Sequence, residues 1–154
     1  MRRTKDAFLW LISVLEDADV PYQITGGFAA RIHGAKRRLA DIDVDIPRAH
    51  FARILPRVAP YITMKPHRWE GEGFRCYLMC LRYRGQDIDV SAFEDQFIPD
   101  ARTGRYVRMP ISASSEMKKA YGRSVRVIPK PALIAYKRTL ARPVDKIDIA
   151  ALEK

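Results

Sequence analysis

Apolar residues at Phe8, Leu9, Leu11, Ile12 and Leu15 recur at the spacing of one helical face, which predicts an amphipathic first helix ending near Asp19, with Pro21 marking the turn. Tyr22 to Thr25 then reads as a short buried strand, Gly26-Gly27 as a turn, and Phe28 to His33 as a short helix closed by Gly34. From Asp41 to Ile46, acids and aliphatics alternate strictly, the period of a strand with one buried face. Pro47 introduces a helix over roughly Arg48 to Val58, which Pro56 is expected to cut short. Tyr61 to Lys65 reads as a strand and HRWEGEGF, residues 67–74, as a polar loop. Phe74 to Tyr83 carries apolar residues on both faces, as a central strand does. Arg84-Gly85 makes a tight turn into a further strand, Asp87 to Phe93.

Residues 94–105 read as a loop, Tyr106 to Met109 as a short strand and Val125 to Ile128 as a last strand, while 112–124 show no clear period. Pro129 and Pro131 open a helix over LIAYKRTLA, and Asp145 to Leu152 forms a final helical turn or two. Short strands mixed with helices, without regular alternation, predict an α+β fold: a mixed β-sheet with helices packed on one face and a short C-terminal helical segment from about residue 129.

A chain of 154 residues is expected to form one domain. No run approaches the roughly 18–20 apolar residues of a membrane span, and Glu16, Asp17 and Asp19 directly after the first apolar run argue against a signal peptide, so no membrane association is expected. Cys76 and Cys80 are separated by about 13 Å of strand, too far for a disulfide, so both are expected as reduced thiols of a cytoplasmic protein. The formal net charge of +10 suits a polyanionic partner, such as RNA or a phosphate-rich substrate.

The acids change the picture most. Asp41, Asp43 and Asp45 share one strand face; Ile42, Val44 and Ile46 share the other. The apolar face must meet the helices. The acidic face then needs water, a basic partner or a cation, and side chains of Asp41 and Asp43 can lean together onto Mg²⁺ or Mn²⁺. Asp45 is expected to be a solvated or arginine-paired neighbour. A second acidic strand, QDIDVSAF, puts Asp87, Asp89 and Ser91 on one face. Laid beside the first, it brings together the carboxylates that two-metal phosphoryl transfer requires. Gly26-Gly27 between strand and helix lets backbone amides approach phosphate.

This combination, Gly26-Gly27, a short helix and then Asp41-Ile42-Asp43, resembles the signature of the DNA polymerase β-like nucleotidyltransferase superfamily. GAKRRLADIDVDIP, residues 34–47, resembles small prokaryotic nucleotidyltransferases of the AbiEii type, which include toxins of toxin–antitoxin systems. Arg37 matches an arginine of that family, whereas Leu39 stands where the family commonly has Thr or Ser. Ile88-Asp89-Val90 matches the third carboxylate, which favours Asp89 over Asp87, and Lys137, Arg142, Asp145 and Asp148 match a C-terminal series in order.

The resemblance implies that Asp41, Asp43 and Asp89 are catalytic and hold Mg²⁺ or Mn²⁺. It implies that Gly26, Gly27, Arg37 and Lys137 bind the nucleotide. The substrate would be an NTP. The acceptor hydroxyl would belong to RNA such as tRNA, a protein or a small molecule, and an antitoxin protein would be a partner. Arg142, Asp145 and Asp148 are expected to form an ion-pair network. The alternative is a non-catalytic nucleotide- or RNA-binding protein that keeps the fold.

Overall fold

A computed structural model describes residues 2–110 and 114–154. The chain runs α1 (Arg2–Asp17), β1 (Gln23–Thr25), α2 (Gly26–Ile32), β2 (Asp41–Ile46), α3 (Phe51–Val58), β3 (Ile62–Trp69), β4 (Cys76–Tyr83), β5 (Gln86–Ala92), β6 (Phe97–Pro99), β7 (Tyr106–Arg108), β8 (Glu116–Ala120), β9 (Arg123–Val127), α4 (Lys130–Leu140) and α5 (Pro143–Leu152). Seven strands form one mixed sheet in the order β3-β4-β5-β2-β1-β9-β8, and β6 and β7 form a separate ribbon. The architecture is the α+β class that the sequence pattern predicts.

The strict alternation of β2 sets the layers. Ile42, Val44 and Ile46 are fully buried, as are Ile88 and Val90 on β5. The stripe Phe8, Leu11, Ile12 and Leu15 of α1 shares the same core, with Phe51, Ile54 and Val58 of α3. Strand β5 runs parallel to β2, pairing Asp41 with Asp87, Asp43 with Asp89 and Asp45 with Ser91. Strand β1 runs antiparallel on the other side of β2, pairing Thr25 with Asp43. The two-residue link from β4 to β5 works because Arg84 and Gly85 both take positive φ (48° and 81°), the geometry of a tight hairpin turn.

Several boundaries differ from the sequence reading. α1 stops at Asp17, where Asp19 turns into the left-handed region and the Val20 N–H bonds back to Leu15. The second helix begins at Gly26 itself, so the glycines open the helix rather than precede it. Pro56 lies inside α3 and does not shorten it, because a proline in a two-turn helix forfeits little of its hydrogen bonding. His67–Trp69 belongs to β3, an edge strand that tolerates Pro66. The loop over 94–105 contains β6, and residues 112–124, of which 112 and 113 lie outside the described residues, contain β8 and its hairpin to β9. No helix among the described residues is long and apolar enough to cross a membrane, and Cys76 and Cys80 are free thiols.

Candidate active site

The parallel register of β2 and β5 assembles the site. Asp41 and Asp43 are half-buried on β2, and Asp89 lies beside Asp43 on β5. Oxygens of all three carboxylates lie within 4.8 Å of one another. Burial raises the pKa of each, reinforced by the Asp89 charge for Asp41, by the Asp41 charge for Asp43 and by the Asp87 charge for Asp89. Hard oxygen donors crowded against their own repulsion are the donor chemistry of a hard divalent cation, so the residues fit such an ion. Asp87 takes a different course. It is half-exposed and ion-paired to Arg82 at 2.7 Å, and the Arg82 hydrogen bond holds its carboxyl below the usual range.

A cleft of about 390 Å³ opens over these acids and is bordered by Gly26, Gly27, Leu39, Phe74, Tyr136 and Lys137, among others. Gly26 has φ +66°, and a Cβ there would run into the Asp43 carboxylate. The glycine therefore makes room for Asp43. Its N–H donates to the Tyr136 hydroxyl at 2.8 Å. We expect Gly26→Ala to cost about 2 kcal/mol of stability, from left-handed backbone strain and the clash, and to impair metal binding by displacing Asp43. Thermal denaturation with and without Mg²⁺ measures both; a variant with wild-type stability would contradict the steric account.

Gly27 is equally confined, since a Cβ would come within 2.8 Å of the Arg37 guanidinium and 3.5 Å of Leu39. Leu39 is buried, so an apolar side chain packs where a hydroxyl was expected from the family pattern. Arg37 is held at the Gly27 turn by two bonds to Asp148, Nε to Oδ1 at 3.0 Å and Nη2 to Oδ2 at 2.9 Å. Lys137 is 2% exposed, with its ammonium 3.0 Å from Asp148 and 3.4 Å from Asp145. Arg142 clasps Asp145 at 2.7 and 3.1 Å and caps the start of α5. The C-terminal series is thus a network of three cations on two buried acids, in line with the ion pairing expected of it.

Asp45 departs from expectation. It is 4% exposed; among the described residues no arginine pairs with it, and its Oδ2 is buried without a hydrogen-bond partner. Gln96, from the segment after β5, covers this end of the face; its amide donates to the Ala92 carbonyl at 2.7 Å and lies near enough to the carboxyl to offset part of the cost of its charge. Burial pushes the Asp45 pKa to about 7. A raised folded-state pKa contributes stability that is present in acid, below the ordinary carboxylate range, and is lost as pH rises through about 7. Asp45→Asn should therefore stabilise the metal-free protein at pH 8, on the order of a few kcal/mol, with the gain vanishing as pH falls toward about 4. Melting curves across that range test the sign; a gain that grows in acid would refute it.

Tyr136 is the site residue that sequence reasoning missed. Its only signal is its place next to Lys137, and a tyrosine on an amphipathic helix reads as core.

No protein-family model matches the chain, and no curated protein is similar to it. Solved structures are. The nucleotidyltransferase-class protein TM1012 of Thermotoga maritima superposes with a TM-score of 0.68 at 15% identity, over 94% of this chain and 91% of that one. The lincosamide antibiotic adenylyltransferase LnuA, solved with lincomycin, gives 0.66 at 18% identity over 98% and 97%. ANT(2")-Ia, solved with adenylyl-2"-tobramycin, gives 0.54 at 20% identity over 92% and 81%. The acidic β2–β5 pair, the glycine turn beside it and these superpositions together identify the fold of this chain as that of the nucleotidyltransferases.

Proposed function

We propose that this protein is a metal-dependent nucleotidyltransferase that moves a nucleoside monophosphate from an NTP to an acceptor hydroxyl. The observation that carries the reading is the convergence of Asp41, Asp43 and Asp89 within 4.8 Å beside the Gly26-Gly27 turn. The acceptor oxygen attacks the α-phosphorus, the bond from that phosphorus to the bridging oxygen breaks, and pyrophosphate leaves. Asp41, Asp43 and Asp89 would hold Mg²⁺ or Mn²⁺, which when bound stabilises charge on the phosphoryl oxygens and lowers the pKa of the attacking hydroxyl. Asp89 orients that hydroxyl and takes its proton. The Gly26-Gly27 turn, bare where Asp43 and Arg37 pack, would lie against the triphosphate, and Arg37, fixed at Gly27 by Asp148, faces its negative charge. Lys137 contributes its positive charge from beneath, through Asp148, which Arg37 shares.

Two acceptor classes each have support. Structural neighbours that adenylylate antibiotics favour a small hydroxyl compound, and the net charge of +10 favours RNA. An NTP donor would favour a cytoplasmic location. The AbiEii-type resemblance adds a toxin role with an antitoxin partner, which growth of a bacterial host expressing wild type or Asp43→Asn tests directly. The decisive experiment incubates the protein with Mg²⁺, each α-labelled NTP and, separately, RNA, lysate protein and a small-molecule pool. Labelled acceptor and released pyrophosphate are expected. NTP binding without any product would instead support the non-catalytic alternative.

A further inference from the structure

Tyr136 stands one residue before Lys137 on α4, with its ring 2% exposed in the wall of the cleft that also holds Asp43. Its oxygen accepts the Gly26 N–H at 2.8 Å. That bond uses the phenol as an acceptor and leaves its own proton without an acceptor among the described residues. Burial, reinforced by the Asp43 charge, keeps the phenol protonated, well above the usual tyrosine range. Buried tyrosine hydroxyls ordinarily donate to something.

Lys137 is just as buried and borders the same cleft, but its polar group is already committed. Its ammonium is turned into the α4–α5 interface and engaged by Asp145 and Asp148. The neighbouring residues of α4 therefore divide two tasks. One neutralises buried acids; the other carries an uncommitted donor into the cleft, at the turn where Gly26, Gly27 and Arg37 meet.

We infer that Tyr136, rather than Lys137, is the α4 residue that touches the bound nucleotide: its hydroxyl donates to a phosphate oxygen while continuing to hold the Gly26 amide. A phosphate oxygen is the fitting acceptor because the groups around that turn, the metal-binding acids and Arg37, are those suited to the triphosphate end. This assignment rests on the nucleotidyltransferase reading above and specifies one contact within it.

Tyr136→Phe deletes one oxygen and keeps the ring. Titration calorimetry in Mg²⁺ with ATP, GTP, CTP and UTP in turn identifies the nucleotide that wild type binds. That NTP, inorganic tripolyphosphate and the matching nucleoside are then compared on both proteins, the nucleoside by saturation-transfer NMR. The variant is expected to bind NTP and tripolyphosphate about tenfold more weakly, the scale of one hydrogen bond to a charged oxygen, with nucleoside affinity unchanged. Its melting temperature should fall by only about 2–4 °C, for the lost Gly26 partner. Tripolyphosphate bound equally by both proteins overturns the assignment. An equal loss of nucleoside affinity overturns it too, and makes Tyr136 a brace of the fold. A wild-type protein that binds none of the four NTPs overturns the nucleotidyltransferase reading, and this contact with it.

Discussion

Asp43→Asn is expected to lower nucleotidyl transfer about a thousandfold or more while leaving the fold intact. Asp43 sits centrally among the three acids: Asp41 is on its own strand, Asp89 is its register partner on β5, and Gly26 is bare to admit it. Asparagine keeps its size and removes the charge that binds a cation, forfeiting the several kcal/mol that charge stabilisation contributes to such transfers. The same substitution should raise the melting temperature of the metal-free protein at neutral pH. Burial and then the Asp41 and Asp89 charges raise the Asp43 pKa, so its ionised form destabilises the folded state. Below the ordinary carboxylate range, wild type and variant should melt alike; added Mg²⁺ should stabilise wild type and not the variant. Turnover that survives in Asp43→Asn would place the chemistry elsewhere.

Asp148→Ala is expected to have the largest effect on stability, about 3–5 kcal/mol. Asp148 is 1% exposed and receives both Arg37 bonds and the shorter Lys137 contact. Without it, the Lys137 ammonium stays buried with only Asp145, at 3.4 Å and already clasped by Arg142. Burial raises the Asp148 pKa, but hydrogen bonds from Arg37 and Lys137 outweigh it and hold the carboxyl below its ordinary value. A depressed pKa contributes stability that is present above the unfolded value and lost as pH falls through the folded one. Denaturant titrations should therefore show the gap between wild type and variant at neutral pH and its narrowing in strong acid. An unfolding free energy within about 1 kcal/mol of wild type would mean that the network contributes nothing net.

The legible parts of this molecule are those with a strong local period. DIDVDI reads unambiguously because three aliphatics on one face have only one place to go, and the observed strand runs from Asp41 to Ile46 as predicted. The pairing of Asp43 with Asp89 also follows once both acidic strands are placed in one sheet. Strand β6 was illegible because it is three residues long and ends in proline, and β8 because Met117 to Lys119 are exposed at a sheet edge. The fate of Asp45 could not be read at all. Alternation says which face a side chain takes, but not that the segment carrying Gln96 returns to cover one end of that face. For the same reason Tyr136 was hidden: its partner, Gly26, is 110 residues away, and no spacing rule connects them.

The strand order has a consequence for how the chain acquires competence. The hairpins β4–β5 and β8–β9 join neighbours in sequence and can close early. The β2–β5 pair cannot, because it brings together segments separated by α3, β3 and β4, and its loop-closure entropy must be met first. All three acids of the candidate site meet only in that pairing. A partly folded chain, however rich in helix, therefore holds no assembled acidic triad, and the capacity to bind a divalent ion should emerge with the slow, topology-limited phase of refolding rather than with the first gain of secondary structure.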